Sequence, residues 1–336
     1  MKKTAIIAIG LMAVMLMAAC GKGTTENNSG SSEIKDSKEV GESNAAIKIG
    51  VLRTADSLPV YIADSKDFFA EKGVQVELIE FGSASDQSKA MESGAIDAMM
   101  TDMVVQTLLQ KGGTDMRTVT TALGADVTEG KFMVVANSEA AIDDIGDVAG
   151  KSVAISEGTM MEYLVDSYCD ELGVDISTIE KVNIPSLSLR YETLMSGEVD
   201  MAILPDPMGD LAVMKGGNAV IDDTTLDKNI SRSVIAFNAE FMKNNSTAVE
   251  NFIEGYNMGV DRLNQHHEED MELIYSVANV PEEMQSSWTV PSYTKNALPT
   301  EEEVDNLMEW MVKKKLIDRK YDYSEVVDNT FCQGRK

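Results

Sequence analysis

The chain has 336 residues, with 56 acidic against 29 basic side chains and a formal charge of -27. Hydrophobic residues make up 43%, enough for a packed core and too many for a disordered chain. The charge excludes nucleic-acid binding, because phosphates are met by Lys and Arg. A single long apolar run excludes a polytopic membrane protein, and three cysteines with two adjacent histidines, His266 and His267, offer little for a thiol or metal centre.

In chain order, Lys2 and Lys3 precede an apolar run from Ala5 to Ala19, broken only by Gly10, which ends in Met17-Ala18-Ala19-Cys20-Gly21. The run is shorter than the ~20 residues a membrane helix needs and has the layout of a secretory signal. Its end resembles a bacterial lipobox, with Met17 where leucine is usual. Residues 1–19 are therefore read as a signal peptide and Cys20 as a lipidated residue anchoring the chain outside the cell membrane, at the cell surface or in the periplasm. Residues 20–46 are polar and read as a flexible tether.

Ordered sequence begins at Ile47. Alternation over Ile47–Leu52 predicts a strand, Leu58–Lys72 a helix ending at Gly73, and Val74–Phe81 a second strand. A helix over Asp86–Glu92 stops at Gly94, and Ile96–Met100 is a third strand. The order recurs about 100 residues on. Val153–Ile155 is a strand, a helix runs to Leu172, and Val182–Ile184 is the next strand. Ser196-Gly197-Glu198-Val199-Asp200 echoes Ser93-Gly94-Ala95-Ile96-Asp97. Each copy leads on to a further aspartate, Asp102 or Asp206. Two similar α/β units imply a cleft between them. Lys131–Ala136 and Ser233–Phe237 read as strands crossing between lobes, giving a first lobe of 47–134 plus 236–336 and a second of 135–235. From about residue 239 the chain is mainly helical, with one apolar stripe over Val249–Leu263 and a capping box at Thr300–Glu303. These helices are expected to pack on the first lobe.

Leu58-Pro59-Val60-Tyr61-Ile62-Ala63 after the first strand, Ser93 to Asp97, Leu204-Pro205-Asp206-Pro207, and the helix of Thr300–Leu316 with Trp310 together carry a family likeness. In this order they resemble the extracytoplasmic solute-binding proteins of ABC importers. The branch is the SsuA/THI5-like or NMT1-type group that takes sulfonates, nitrate, taurine or thiamine precursors. The resemblance implies a type II periplasmic-binding-protein-like α/β fold whose two lobes are joined by two crossing strands and close on ligand at a hinge. It also implies a monomer that delivers a small molecule to an ABC permease and its separate ATPase, with no cofactor, no metal and no catalysis.

Ligands of parallel α/β sheets bind beyond the carboxyl ends of the strands. That rule selects Arg53, Asp56, Ser57, Tyr61, Ser83, Ser85, Thr101, Asp102, Glu157, Thr159, Met160 and Asp206 as the candidate ligand-binding residues. Each Ser or Thr is equally well read as a helix N-cap, and the carboxylates either face the ligand, face solvent or pair with Arg53. Because Arg53 is the one basic residue against Asp56, Asp102, Glu157 and Asp206, a nitrogen-containing solute such as a thiamine-precursor pyrimidine is favoured over a bare anion. The alternatives are an aliphatic sulfonate, taurine or nitrate. Tyr61, Tyr163 and Trp288 offer stacking faces or are core, and Met103, Met160 and Met208 an apolar wall. Arg190 is read as a surface residue or as a second partner across the cleft, and Cys169 and Cys332 either pair or stay free. Two other classes remain: a ligand-sensing module for a receptor, and a THI5-like pyrimidine synthase, against which the lack of clustered cysteines and of a cleft histidine speaks.

Overall fold

The computed structural model describes residues 46–332; Cys20, the signal peptide and the tether lie outside the described residues. Two five-stranded sheets form, each with one antiparallel strand among parallel ones. The first has the order β2-β1-β3-β10-β4, built from β1 (Ile47–Val51), β2 (Val76–Glu80), β3 (Ala98–Asp102), β4 (Met116–Leu123) and β10 (Ser233–Asn238). The second has the order β7-β6-β8-β5-β9, from β5 (Phe132–Ala136), β6 (Ser152–Ile155), β7 (Glu180–Asn183), β8 (Met201–Pro205) and β9 (Asn218–Asp222). β10 runs antiparallel to β3 and β4, and β5 antiparallel to β8 and β9.

Whole strands belong to one sheet or the other, so the sequence boundaries at 134/135 and 235/236 cut through β5 and β10. The chain crosses between lobes in the loops at 124–131 and 223–232 instead. Alternation alone marks a strand but not which sheet pairs it.

In the first lobe, the apolar run after β1 forms α1 (Leu58–Ser65) and α2 (Phe68–Glu71). One helix becomes two because Asp67 adopts a left-handed φ of 58° between them. α3 (Ala84–Glu92) and α4 (Met103–Lys111) follow their strands. The second lobe carries α5 (Met160–Glu171), α6 (Leu187–Met195) and α7 (Met208–Met214). The internal echo is structural. Gly94 and Gly197 each leave a helix with positive φ. Asp97 and Asp200 then each accept a backbone N–H from a parallel strand of their own sheet, from Lys48 of β1 at 2.9 Å and from Ser152 of β6 at 2.8 Å.

Beyond β10 come α8 (Ala239–Asn244), α9 (Ser246–His266), α10 (Met271–Val277), α11 (Glu301–Lys313) and α12 (Tyr323–Val326). The buried stripe of α9, including Phe252, Tyr256 and Val260, joins the first-lobe core, with Phe252 stacked on Phe69 at 5.0 Å. α11 departs from the expectation. Its stripe of Val304, Leu307, Met308 and Met311 packs with Met160, Tyr163 and Leu164 of α5 in the second lobe. Trp310 Nε1 donates to Asp166 at 2.9 Å, and Lys314 reaches Glu162 at 2.5 Å. The chain then returns to the first lobe, where Gln106 donates to the Val326 carbonyl at 2.6 Å.

Candidate functional site

The carboxyl ends of β1, β3 and β8 bring three aspartates to the cleft between the lobes. Asp56 lies in the 3-10 turn Ala55–Ser57 that ends the β1 loop. Burial pushes its carboxyl up, offset in part by the hydroxyls of Thr54 and Ser233. Its Oδ1 is sealed from solvent with no hydrogen-bond partner among the described residues. Asp102 ends β3 and caps α4, its Oδ1 accepting from Val104 N at 2.8 Å and Val105 N at 2.9 Å. Burial pushes it up to about 6, the two N–H groups oppose this, and the nearby Asp56 charge adds to it. Ser233 sits directly opposite Asp102 in the β3–β10 pair. Its Oγ is sealed and faces Asp56, and Thr121 Oγ1 on the adjoining β4 is sealed with no partner among the described residues.

Asp206 follows β8 on the second lobe, and its Oδ2 accepts from Trp288 Nε1 at 2.6 Å. Burial pushes this carboxyl up to about 7; the indole N–H and Lys131 oppose the shift, and Asp210 adds to it. Tyr293 closes the floor. It is 3% exposed, donates to the Ala55 carbonyl at 2.7 Å, and lies in the field of both Asp56 and Asp206. Glu129, 2% exposed on the crossing loop, accepts from Ala125 N at 2.9 Å and from Thr294 Oγ1. The result is a floor on which Asp56, Asp102 and Asp206 have elevated pKa and Asp56 Oδ1 is sealed without a donor. A buried acceptor left without a donor costs about 1–3 kcal/mol, and a donor or cation from a ligand removes that cost.

Of the residues selected from sequence, the structure brings together Asp56, Ser57, Thr101, Asp102 and Asp206. Ser57 is fully buried beside Asp56 and Thr101 precedes Asp102. The others lie elsewhere. Arg53 is exposed and turned to Ser276, donating to its carbonyl at 2.9 Å. It borders a surface groove of about 750 Å³, shared with Glu272 and Gln285, and not the carboxylate floor. Tyr61 donates to Glu80 at 2.8 Å. Ser83 and Thr159 are the N-caps of α3 and α5. Ser85 and Glu157 are exposed. Met160, Tyr163 and Met103 belong to the core around α5, where Tyr163 meets Trp310 edge-on at 5.2 Å.

Three further readings change. Arg190 is 2% exposed, not a surface residue. On α6, its Nη1 donates to the Ile184 carbonyl at 3.1 Å, its Nε has no partner among the described residues, and burial lowers it to about 10. Cys169 and Cys332 are both free, Cys332 donating to the Val119 carbonyl at 2.9 Å. Trp288 meets the site through its N–H and not as a stacking face. Sequence reasoning missed Ser233, Thr121, Tyr293 and Glu129. The first two lie on strands identifiable by pattern, but only β10's antiparallel insertion sets Ser233 beside Asp102; Tyr293 and Glu129 come from loops without a periodic signal.

Two α/β sheets with reciprocal antiparallel strands and a cleft at their carboxyl ends define the periplasmic-binding-protein-like class. The NMT1/THI5 like family model matches residues 54–270, well over half of the chain, and the chain belongs to that family. It is 23% identical to a Bacillus subtilis (strain 168) protein named "Putative aliphatic sulfonates-binding protein", over 99% of this chain and 96% of the relative. The periplasmic aliphatic sulphonate binding protein SsuA of Escherichia coli shares the fold with a TM-score of 0.70 at 15% identity, over 85% of this chain and 98% of that one. The periplasmic nitrate-binding protein NrtA of Synechocystis PCC 6803 does so with a TM-score of 0.65 at 15% identity, over 85% and 86%. Among the described residues no helix is long and apolar enough to cross a membrane.

Proposed function

We propose that this protein is the solute-binding component of an ABC importer, holding a small organic solute between its lobes and passing it to a membrane permease driven by a separate ATPase. The observation that carries the reading is the cleft floor, where Asp102 lies near Asp56, Tyr293 lies in the field of both Asp56 and Asp206, all three aspartates have elevated pKa, and Asp56 Oδ1 has no partner among the described residues. Such a floor accepts N–H donors or a positive charge, so the solute carries an amine, amidine or aminopyrimidine at that end. The sulfonate reading draws support from the Bacillus relative's name, and the nitrate one from the NrtA structure; neither of these two names mentions a pyrimidine. A sulfonate that also carries an ammonium, such as taurine, satisfies both the relative and the floor.

On this reading the chain captures and does not catalyse. Among the described residues, the histidines sit at the end of α9, Cys169 is in the second-lobe core, and Cys332 donates to the Val119 carbonyl. Attachment to the membrane through lipidated Cys20 and a monomeric state complete the proposal. A Cys20→Ser variant released from the membrane fraction supports the anchor; one that stays bound contradicts it. The test of capture is a thermal-shift panel of aminopyrimidines, amino acids, taurine, alkanesulfonates and nitrate on the purified protein. Stabilisation by one solute class supports the reading. No stabilisation by any, with turnover of one, overturns it.

A further inference from the structure

The second lobe buries a cation that no carboxylate among the described residues neutralises. Arg190 stands near the start of α6 and is 2% exposed. Leu187 and Leu194, three residues before it and four after on the same helix face, belong to an apolar cluster of that lobe. Nη1 donates to the Ile184 carbonyl, and neither Nε nor Nη2 has a partner among the described residues. Burial lowers the guanidinium to about 10 and no carboxylate opposes the shift, so it stays charged at neutral pH without a counter-charge. The positive end of the α6 dipole adds to the cost. Water satisfies a free N–H but leaves the charge in place, and a buried charge stays costly until one of opposite sign meets it.

Arg190 lies on the cleft side of its lobe. Ile184 N donates at 2.8 Å to the carbonyl of Ile155, the last residue of β6. β6 lies beside β8, whose end leads to Asp206. The guanidinium, bonded to Ile184, therefore sits at the carboxyl end of the second sheet, as Asp206 does. Tyr191, next to Arg190, packs on apolar clusters of both lobes, and Met208, two residues after Asp206, packs on the same two. Both segments thus border the seam between the lobes.

We propose that Arg190 is the second-lobe contact for an anionic group of the captured solute, a sulfonate or a carboxylate, so that the solute is a zwitterion. Its ammonium meets the aspartate floor, and its anion meets the Nε–Nη2 edge of the guanidinium, a fork that matches two oxyanion oxygens. The proposal rests on the capture reading and adds to it the requirement for opposite charges on one molecule.

The experiment is calorimetry of the full chain with taurine, β-alanine and n-propylamine, repeated on Arg190→Met and Arg190→Lys. The first two solutes carry a sulfonate and a carboxylate beside the ammonium, and the third carries the ammonium alone. At least one zwitterion is expected to bind the wild-type protein about tenfold or more tightly than propylamine, the scale of a hydrogen bond to a charged group. The tighter of the two identifies the anion. Arg190→Met abolishes the advantage and leaves propylamine unchanged, whereas Arg190→Lys, which keeps the charge, retains part of it. A wild-type protein that binds propylamine as tightly as both zwitterions overturns the proposal and leaves the capture reading standing. So does an Arg190→Met protein with unchanged circular dichroism that keeps the full advantage. An equal loss for all three solutes in Arg190→Lys makes the residue structural and likewise overturns it, a result readable even where Arg190→Met does not fold. Binding of none of the three by the wild-type protein removes the capture of amines itself, and the subsite with it.

Discussion

Asp102 gives one carboxylate oxygen to the N-terminus of α4 and still carries a pKa pushed up to about 6. Asp206 is pushed up to about 7 against the pull of an indole N–H. Both folded values exceed the unfolded 3.8, so the native state binds more protons than the unfolded chain between those limits. Their contribution to stability is full below the unfolded value and is lost as pH rises through the folded ones. A cationic ligand inverts the preference, because it binds the ionised floor. Its affinity therefore rises between about pH 5 and pH 8, and its binding releases protons, readable by calorimetry in buffers of different ionisation enthalpy. An affinity that falls over that range signals an anionic ligand. Asp206→Asn weakens a cationic ligand by about 1.5–3 kcal/mol, the range for a hydrogen bond to a charged group; unchanged affinity removes Asp206 from the site. Arg190 is the opposite case, a buried cation with one carbonyl partner. Arg190→Met removes an uncompensated charge at similar length and is expected to leave the melting temperature unchanged or raise it. A drop of several degrees would assign Arg190 a structural bond absent from this account.

α1 and α9 approach so closely that a Cβ on Gly259 would lie 2.2 Å from the Pro59 carbonyl oxygen. Gly259→Ala is expected to cost about 1–3 kcal/mol by forcing the helices apart, measured by urea denaturation; an unchanged midpoint would mean the pair is not packed this tightly. α11 begins with a capping box in which Thr300 Oγ1 accepts from Glu303 N at 3.2 Å and Glu303 accepts from Thr300 N at 2.7 Å. That device is readable from sequence because it needs only two residues three apart. Where α11 packs is not readable, since its stripe of Val304, Leu307 and Met311 is equally apolar toward either lobe. The partner is chosen by Asp166, Glu162 and Lys181 on or beside α5, which meet Trp310 and Lys314 in an ion-pair cluster. The break between α1 and α2 escaped for a related reason. Apolar spacing continues through it, and only Asp67's left-handed backbone interrupts the helix.

For the whole molecule, the repeated βα order and the paired Gly-to-Asp motifs were enough to specify two lobes and a cleft. The motif that revealed the duplication turned out to brace each sheet, through Asp97 and Asp200, and not to touch the cleft. The floor was legible only where a strand's carboxyl end carries its own acid, as at Asp56, Asp102 and Asp206. Ser233, Tyr293 and Glu129 join it through an antiparallel insertion and loop packing, which leave no periodic trace. Arg53 obeys the same strand-end rule, yet its guanidinium donates to the Ser276 carbonyl and borders a surface groove away from these aspartates. The most direct test of the carboxylate floor is calorimetry on matched solutes that differ by a nitrogen group: taurine against ethanesulfonate, and an aminopyrimidine against pyrimidine. The account predicts that the amine member of a pair binds more tightly and that its advantage grows as pH rises through the folded pKa values of Asp102 and Asp206. Equal or tighter binding of ethanesulfonate, or of nitrate, would contradict it.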